Sequence, residues 1–410
     1  MNSYRRALTF LNSLLNFEQI SRAHARSWNL KRMRELQRRF GHPERGIFTV
    51  VIGGTKGKGS TGYFLSEILR QSGLRVGFYS SPHLEGPRER IWINRRPVSQ
   101  KDFSRGLLRI KKKLGPSGPD FTYFEILTLL ASILFKEKNV DTAVFEVGMG
   151  GRLDATHTLP AKLVILTPIH FDHEAFLGNT LAKIAGEKAA ILVPGRDVVT
   201  APQEKEVRPV IRRVARRRKC RISLPLRLQG MKVGLLGDFQ KLNAALAIRA
   251  AQILRDRYQF PVTKDAILKG VCSKHWPGRM ELFKGRPPIL LDGAHNPKSI
   301  AALVRNLKKL FGGRSIIFIF GTSRDKRYDQ MIPLLAKVSK ICILTRAKTP
   351  RAREVSSLLS LARNHFKLSF PASTSREALG LARRLARPGD LIVVTGSFYL
   401  VGEVRSQCRR

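Results

Sequence analysis

At 410 residues and 43% hydrophobic content, the chain is long enough for two or three separately cored domains. Its longest apolar stretch, Phe121 to Phe135, carries Glu125 and falls short of the roughly 20 residues that cross a bilayer, which argues against a membrane protein. The net charge of +45 is spread through every segment. Exposed charges are screened over about 8 Å at physiological salt, so the excess reads mainly as a general basic bias that mildly attracts anionic substrates, with RNA association a secondary reading.

In chain order, Met1-Asn2-Ser3-Tyr4-Arg5-Arg6 leads into leucines interrupted by Asn12, Asn16 and Glu18, a pattern that predicts an amphipathic helix and not a signal peptide. An apolar strand, Ile47 to Ile52, then runs into Gly53-Gly54-Thr55-Lys56-Gly57-Lys58-Gly59-Ser60, and a helix is predicted from Gly59 to Gln71. Strand, glycine-rich loop and helix in succession are what a phosphate cradle requires. Backbone N–H groups converge on phosphate oxygens where no Cβ intervenes, which gives Gly54, Gly57 and Gly59 a role. Lys58 supplies charge to the outer phosphates. The reading is an ATP site, or one for a close relative of ATP.

Further strands are predicted at Arg75 to Tyr79, Thr142 to Val147, Leu163 to Thr167, Asp197 to Thr200, Ile289 to Leu291, Ser315 to Phe320, Ile341 to Leu344 and Leu391 to Val394. Helical patterns occupy Tyr123 to Lys136, Leu181 to Ile191, Lys241 to Arg255, Pro297 to Leu310, Tyr328 to Val338 and Ser375 to Leu385. This alternation predicts α/β layers with mostly parallel sheets. Around Arg212 to Lys219, the apolar residues Val207, Val210, Ile211 and Val214 recur at helical spacing, which predicts a helix with a solvated basic face. Composition turns to breakers at Lys284-Gly285-Arg286-Pro287-Pro288, where a domain boundary is expected. Cys220, Cys272, Cys342 and Cys408 show no metal or redox spacing and suit a reducing cytoplasm.

Polar residues gather after several strands. Ser80-Ser81-Pro82-His83-Leu84 follows the second, Glu146 to Thr156 the third, and His170-Phe171-Asp172-His173 the fourth, with Glu187-Lys188 beyond it. Trp276-Pro277-Gly278-Arg279 and Asp292-Gly293-Ala294-His295-Asn296-Pro297 belong to the second half. Ligands of open α/β sheets sit at the carboxyl ends of strands, and Mg²⁺ needs only a few protein oxygens there. Taken singly, Glu146 is equally a buried carboxylate paired with Arg152, His173 a satisfied loop histidine, and Lys188 a solvated helix position.

The ordered set Gly54 to Ser60, Ser81 to Leu84, Tyr123 to Glu125, Glu146 to Thr156, Asp172-His173, Glu187-Lys188-Ala189, Pro277-Gly278-Arg279, Asp292 to Pro297 and Val394 to Arg405 closely resembles the folylpolyglutamate synthase/dihydrofolate synthase family of the Mur ligase superfamily. The resemblance spans nearly the whole chain. It implies a P-loop, Mur-ligase-like ATP-binding domain with a mostly parallel sheet and the folate site at 1–285, and a smaller, Rossmann-like glutamate-ligase domain at 286–410. It implies an ATP-dependent ligase that joins L-glutamate to the carboxylate of dihydropteroate or of a (tetrahydro)folate polyglutamate, through an acyl phosphate. Gly54, Thr55, Gly57, Lys58, Gly59 and Ser60 would hold the phosphates, with Asn243, Arg279, Asp292 and His295 completing the nucleotide contacts. Ser81 and Glu146 would ligate one Mg²⁺ and His173 a second. Lys188 corresponds to a lysine carried as a carbamate in such enzymes. Thr122, Tyr123, Phe124, Glu125, Leu153, Asp154 and Ala155 match segments lining the pterin site. A cytoplasmic monomer is implied, with no membrane or nucleic-acid partner.

The chain departs from the family pattern at Lys56, His157, Ala190, Phe239 and Arg327, none of which removes a proposed metal ligand or Lys58. Two other readings stand beside this one. A Mur-type ligase acting on another acid would keep the same loop and metal ligands. A basic NTPase stimulated by nucleic acid would show a salt-steep affinity for RNA or DNA.

Overall fold

The computed structural model describes residues 2–16, 29–115, 120–228 and 230–409, so Glu18 lies outside the described residues. The chain divides into two compact units. The first comprises Met1–Pro82, Pro87–Gly234 and Gln240–Ser273; the second comprises His83–Gly86, Leu235–Phe239 and Lys274–Arg410.

The first unit is built on an eight-stranded sheet. Its strands are β1 (Phe48–Gly53), β2 (Val76–Tyr79), β3 (Ile91–Ile93), β4 (Arg96–Pro97), β5 (Thr142–Glu146), β6 (Ala161–Leu166), β7 (Asp197–Thr200) and β8 (Arg221–Ser223), in the order β4-β3-β2-β5-β1-β6-β7-β8. The six strands from β2 to β8 run parallel, while β3 and β4 add an antiparallel edge. Strands β2, β5 and β7 are buried along their whole length, as continuous runs of Val, Phe and Ala predict for strands covered on both faces. Each such Val, Leu or Phe removed from water contributes about 1.5–3 kcal/mol. The helix Tyr123–Glu137 packs into this core through Ile126, Leu127, Leu130 and Leu134, all fully buried. The amphipathic N-terminal segment forms the helix Ser3–Asn12, capped by the Asn2 side chain on the Tyr4 N–H.

The second unit holds β9 (Glu281–Phe283), β10 (Ile289–Leu291), β11 (Ile316–Phe320), β12 (Ile341–Leu344), β13 (Leu368–Pro371) and β14 (Leu391–Thr395), ordered β13-β12-β11-β14-β10-β9. All are parallel except β9, which pairs antiparallel with β10. The breaker run Lys284 to Pro288 is therefore the turn of a hairpin inside this sheet, and the second unit takes in the chain from Lys274 onward. The arginine-rich segment forms the helix Arg208–Arg217, with Val210, Ile211 and Ala215 buried and its arginines outward. No helix among the described residues is long and apolar enough to cross a membrane.

Candidate functional site

Parallel pairing in the order β2-β5-β1-β6 brings four carboxyl ends together along one edge of the first sheet. Each delivers one of the segments that the sequence singles out. β1 leads into the glycine loop, and Lys58 opens the helix Lys58–Gln71. Glu146 ends β5 beside Ile52 of β1. Ser81 follows β2, and the 170–173 segment follows β6.

The loop is fixed by its own chain. The Thr55 and Lys56 N–H groups both donate to the Pro168 carbonyl, at 3.0 and 3.2 Å. The Thr55 hydroxyl donates to the His170 carbonyl and accepts from the His170 N–H. Gly57 caps the helix with φ 89°, a conformation that strains any residue with a Cβ, and a Cβ there would overlap the Asn243 Oδ1. At Gly54 a Cβ would overlap the Thr167 hydroxyl. The bareness of these two glycines thus serves close packing inside the protein, where the sequence reading assigned it to phosphate approach alone. Asn243 packs against the loop with its amide donating to Gln240 Oε1 at 2.9 Å. Gln240 is fully buried and was missed, its signal being only its place three residues before Asn243.

Two lysines and two carboxylates make up the charged centre. Lys58 Nζ lies 3.9 Å from Glu146 Oε1, and the other oxygen of Glu146 accepts from the Ser81 N–H at 3.2 Å. Arg152 pairs instead with Glu187, at 2.9 Å, so the alternative of a Glu146–Arg152 pair does not hold. Lys188 is 3% exposed, not solvated, and its Nζ donates to the Gly54 carbonyl at 3.0 Å. Burial, and then the repulsion of Lys58, lower its pKa to about 7, against the opposing pull of Asp172 and Asp154. Asp172, which the sequence names only beside His173, is therefore part of the electrostatic surroundings of this amine. His173 caps the short helix Glu174–Leu177 with φ 50° and is 42% exposed at its side chain, with Nε2 3.9 Å from Asp172 Oδ1. Among the described residues no three His, Cys, Asp or Glu side chains converge as a metal cluster. The donors on hand are oxygens, Ser81 and Glu146, which fit a hard ion that retains water and borrows phosphate ligands.

The residues matched to a pterin site form a second group on the same unit. Thr122 and Glu125 make a capping box at the start of the helix Tyr123–Glu137: the Thr122 N–H donates to Glu125 Oε2 at 2.8 Å, and the Glu125 N–H to the Thr122 hydroxyl at 3.2 Å. Glu125 also pairs with Arg32 at 3.2 Å. The guanidinium of Arg90, 1% exposed, stacks 5.3 Å over the Tyr123 ring. Phe124 packs against Gly148, and Ala155 is buried. Asp154 uses both oxygens on its own loop, Oδ2 for the Gly148 and Met149 N–H groups and Oδ1 for the N–H and hydroxyl of Thr156. Burial pushes its carboxyl up, and these donors pull it back. Leu153 beside it is exposed.

The second unit gathers the remaining residues. Asp292 follows β10 and accepts from the Met280 and Ala294 N–H groups, each at 3.0 Å. Arg279 stacks 4.3 Å over the Phe398 ring, and His295 lies 5.6 Å from the same ring. The His295 Nδ1 donates to the Gly293 carbonyl at 2.8 Å, because a carbonyl can only accept. Phe398, the shared platform, lies inside the Val394 to Arg405 run, and its contacts to Arg279 and His295 give it no local signal there.

Comparisons with known proteins agree with this arrangement. Residues 52–225 match the Mur ligase middle domain, and residues 278–398 the Mur ligase glutamate ligase domain. A dihydrofolate synthase/folylpolyglutamate synthase of Bacillus subtilis is 31% identical over 94% of this chain and 98% of its own. A folylpolyglutamate synthase of Lacticaseibacillus casei is 32% identical over 93% of this chain and 94% of its own. Among solved structures, the E. coli FolC complex with DHPP and ADP superposes with a TM-score of 0.86 at 26% identity, over 99% of this chain and 97% of that one. The Mycobacterium tuberculosis folylpolyglutamate synthase bound to ADP and AMPPCP gives a TM-score of 0.84 at 29% identity, over 93% of this chain and 96% of that one.

Proposed function

The chain belongs to the folylpolyglutamate synthase/dihydrofolate synthase family and is an ATP-dependent glutamate ligase, and we propose that it joins L-glutamate to the carboxylate of dihydropteroate, of a folate polyglutamate, or of both. The observation that carries this reading is the meeting of Lys58, Glu146 and Ser81 at adjacent strand ends, with the buried Lys188 amine reaching the Gly54 carbonyl from its helix. An acid–amine condensation in water needs an activated acid. The acceptor carboxylate attacks the γ-phosphorus of ATP, the bond to ADP breaks, and an acyl phosphate forms. The neutral α-amine of glutamate then attacks the acyl carbon, inorganic phosphate leaves, and the amine gives up a proton.

Lys58 holds charge on the transferring group, and the loop N–H groups orient it. Ser81 and Glu146 would hold one Mg²⁺ and His173 a second, and such ions, when bound, neutralise phosphate charge. Lys188 takes up CO₂ as a carbamate, a reading that its burial beside the Gly54 carbonyl supports. Addition requires the unprotonated amine, which a pKa of about 7 provides, and converting a cation beside Lys58 into an anion reverses their repulsion. Asn243, Arg279, Asp292 and His295 contact the nucleotide; Thr122 to Glu125 and Leu153 to Ala155 form the acceptor site. Among the described residues the cysteines are free, as a reducing cytoplasm requires.

The test follows labelled glutamate into product with ATP and Mg²⁺, offering dihydropteroate, tetrahydrofolate and a UDP-muramyl acid in turn, with ¹⁸O in the acceptor carboxylate. Ligation to a pteroyl acceptor with ¹⁸O passing into phosphate is expected. Exclusive use of the muramyl acid, or ATP turnover only with added nucleic acid, overturns the proposal.

A further inference from the structure

Arg405 lies on the helix Phe398–Cys408, two turns beyond the Phe398 platform, and is 2% exposed at its side chain. Its Nε donates to both oxygens of Glu281, at 3.1 and 2.8 Å, and its Nη1 donates to Glu85. A guanidinium buried between two carboxylates is a costly arrangement, and removing one partner alone leaves a charge stranded. Its geometry is directional, because the planar fork fixes both carboxylates at once.

What this fork holds is the turn that carries Arg279. The second function of Glu281 is to accept from the Gly278 N–H, Oε2 at 2.8 Å. Gly278 has φ 68°, and its carbonyl accepts from the Gly293 N–H at 3.0 Å, next to Asp292. A Cβ on Gly278 would stand 2.8 Å from Leu84 Cδ1, and one on Gly402, a turn before Arg405, would overlap the Leu84 carbonyl. Leu84 is thus seated between the turn and the helix, with Glu85 fastened by Arg405 beside it. Arg279 leaves this braced turn to lie over Phe398.

We infer that Arg405 is a positioning residue for the nucleotide: acting through Glu281 and the Gly278 turn, with the Leu84–Glu85 segment as a brace, it sets the direction of the Arg279 guanidinium. This rests on the reading of Arg279 as an ATP-phosphate contact. A lysine at 405 keeps the charge and loses the fork; Glu281→Gln keeps the shape and loses the charge that ties Arg405 to the turn.

The experiment is steady-state ligation kinetics on full-length Arg405→Lys, Glu281→Gln, Arg279→Ala and the double variant Arg405→Lys/Arg279→Ala, with thermal melting of each. The KM for ATP is expected to rise about tenfold in the Arg405 and Glu281 variants, the size usual for losing an orienting partner behind a ligand. KM for the acceptor and for glutamate should stay within about twofold. Arg405→Lys is expected to add nothing once Arg279 is gone, since the two then act as one unit. Additive effects in the double variant, or a lowered melting point and kcat with every KM unchanged, overturn the inference and leave Arg405 a structural residue. If Arg279→Ala leaves the ATP KM intact, the phosphate reading itself fails; if it raises that KM while Arg405→Lys and Glu281→Gln do not, only the inference fails.

Discussion

Lys188 donates from its buried Nζ to the Gly54 carbonyl at 3.0 Å, so the amine that the sequence places on an ordinary helix is anchored to the first glycine of the phosphate loop. That contact fixes where a carbamate would form. Activity in buffer stripped of CO₂ is expected to fall about tenfold, a loss comparable to that of an orienting group, and to return on adding bicarbonate. Lys188→Ala should be inactive and partly rescued by a short carboxylate such as acetate. Ligation insensitive to CO₂, measured with labelled glutamate, removes the carbamate from the mechanism.

The same amine makes a prediction about pH. With a folded pKa of about 7 against 10.5 in the unfolded chain, Lys188 is protonated in both states below pH 7 and contributes no slope there. Between about pH 7 and 10.5 the unfolded chain binds a proton that the folded chain lacks, so stability rises with pH through that window. At about 1.4 kcal/mol per pH unit, the protein gains about 2–3 kcal/mol from pH 7 to 9 relative to Lys188→Met. Urea unfolding of both proteins in CO₂-free buffer measures the difference, and parallel curves would return the lysine to an ordinary ionisation.

Much of this was legible beforehand, and for a physical reason. A strand ending in a glycine-rich loop needs bare backbone and hydroxyls at fixed places, so β1 and its loop announce themselves locally, as do the fully buried strands β7, β10 and β11. The short strands β3, β4, β8, β9 and β13 were missed. Arg96–Pro97, Arg221–Ser223 and Leu368–Pro371 have mixed polarity and pair on one side only, so their extended form is imposed by a neighbour. The helix Gln100–Leu114 was likewise passed over, although Ser99 caps it through the Asp102 N–H. Within the site, the family resemblance supplied the proposed ligand set, while Phe398 and Arg405 make contacts with residues more than 100 positions away that no local pattern reveals. Conversely, Thr122 and Asp154 direct much of their hydrogen bonding to their own loops, which no spacing rule reveals.

Lys58 sits between one attraction and one repulsion, 3.9 Å from Glu146 and close enough to Lys188 to depress its pKa. Replacing it by alanine removes a preorganised charge, which costs on the order of 10²–10³-fold in kcat, roughly 3–4 kcal/mol. It also takes away the repulsion on Lys188, whose pKa should move back up. Single-turnover ligation gives the first value, and the pH dependence of CO₂ uptake gives the second. A variant with near-normal ligation excludes Lys58 from phosphoryl transfer.

Asp154 and Leu153 are neighbours with opposite exposures, so in the proposed acceptor site their variants separate a loop-building role from a substrate contact. Asp154 is 7% exposed and accepts four hydrogen bonds, two that hold Met149 and the Gly148 packed against Phe124, and two from Thr156. In Asp154→Asn an NH₂ group must face donors in place of one oxygen. Losing two hydrogen bonds to a charged acceptor costs about 3–6 kcal/mol. Unfolding in urea should show that loss, and the acceptor KM should rise with it because the loop that carries Leu153 shifts. Leu153, 42% exposed, buries little in the folded protein alone, so Leu153→Ala is expected to change stability by less than about 0.5 kcal/mol while raising the acceptor KM. Asp154→Asn with undiminished stability and a raised acceptor KM would make the carboxylate itself a substrate contact. Leu153→Ala with an unchanged KM would take this loop out of the acceptor site.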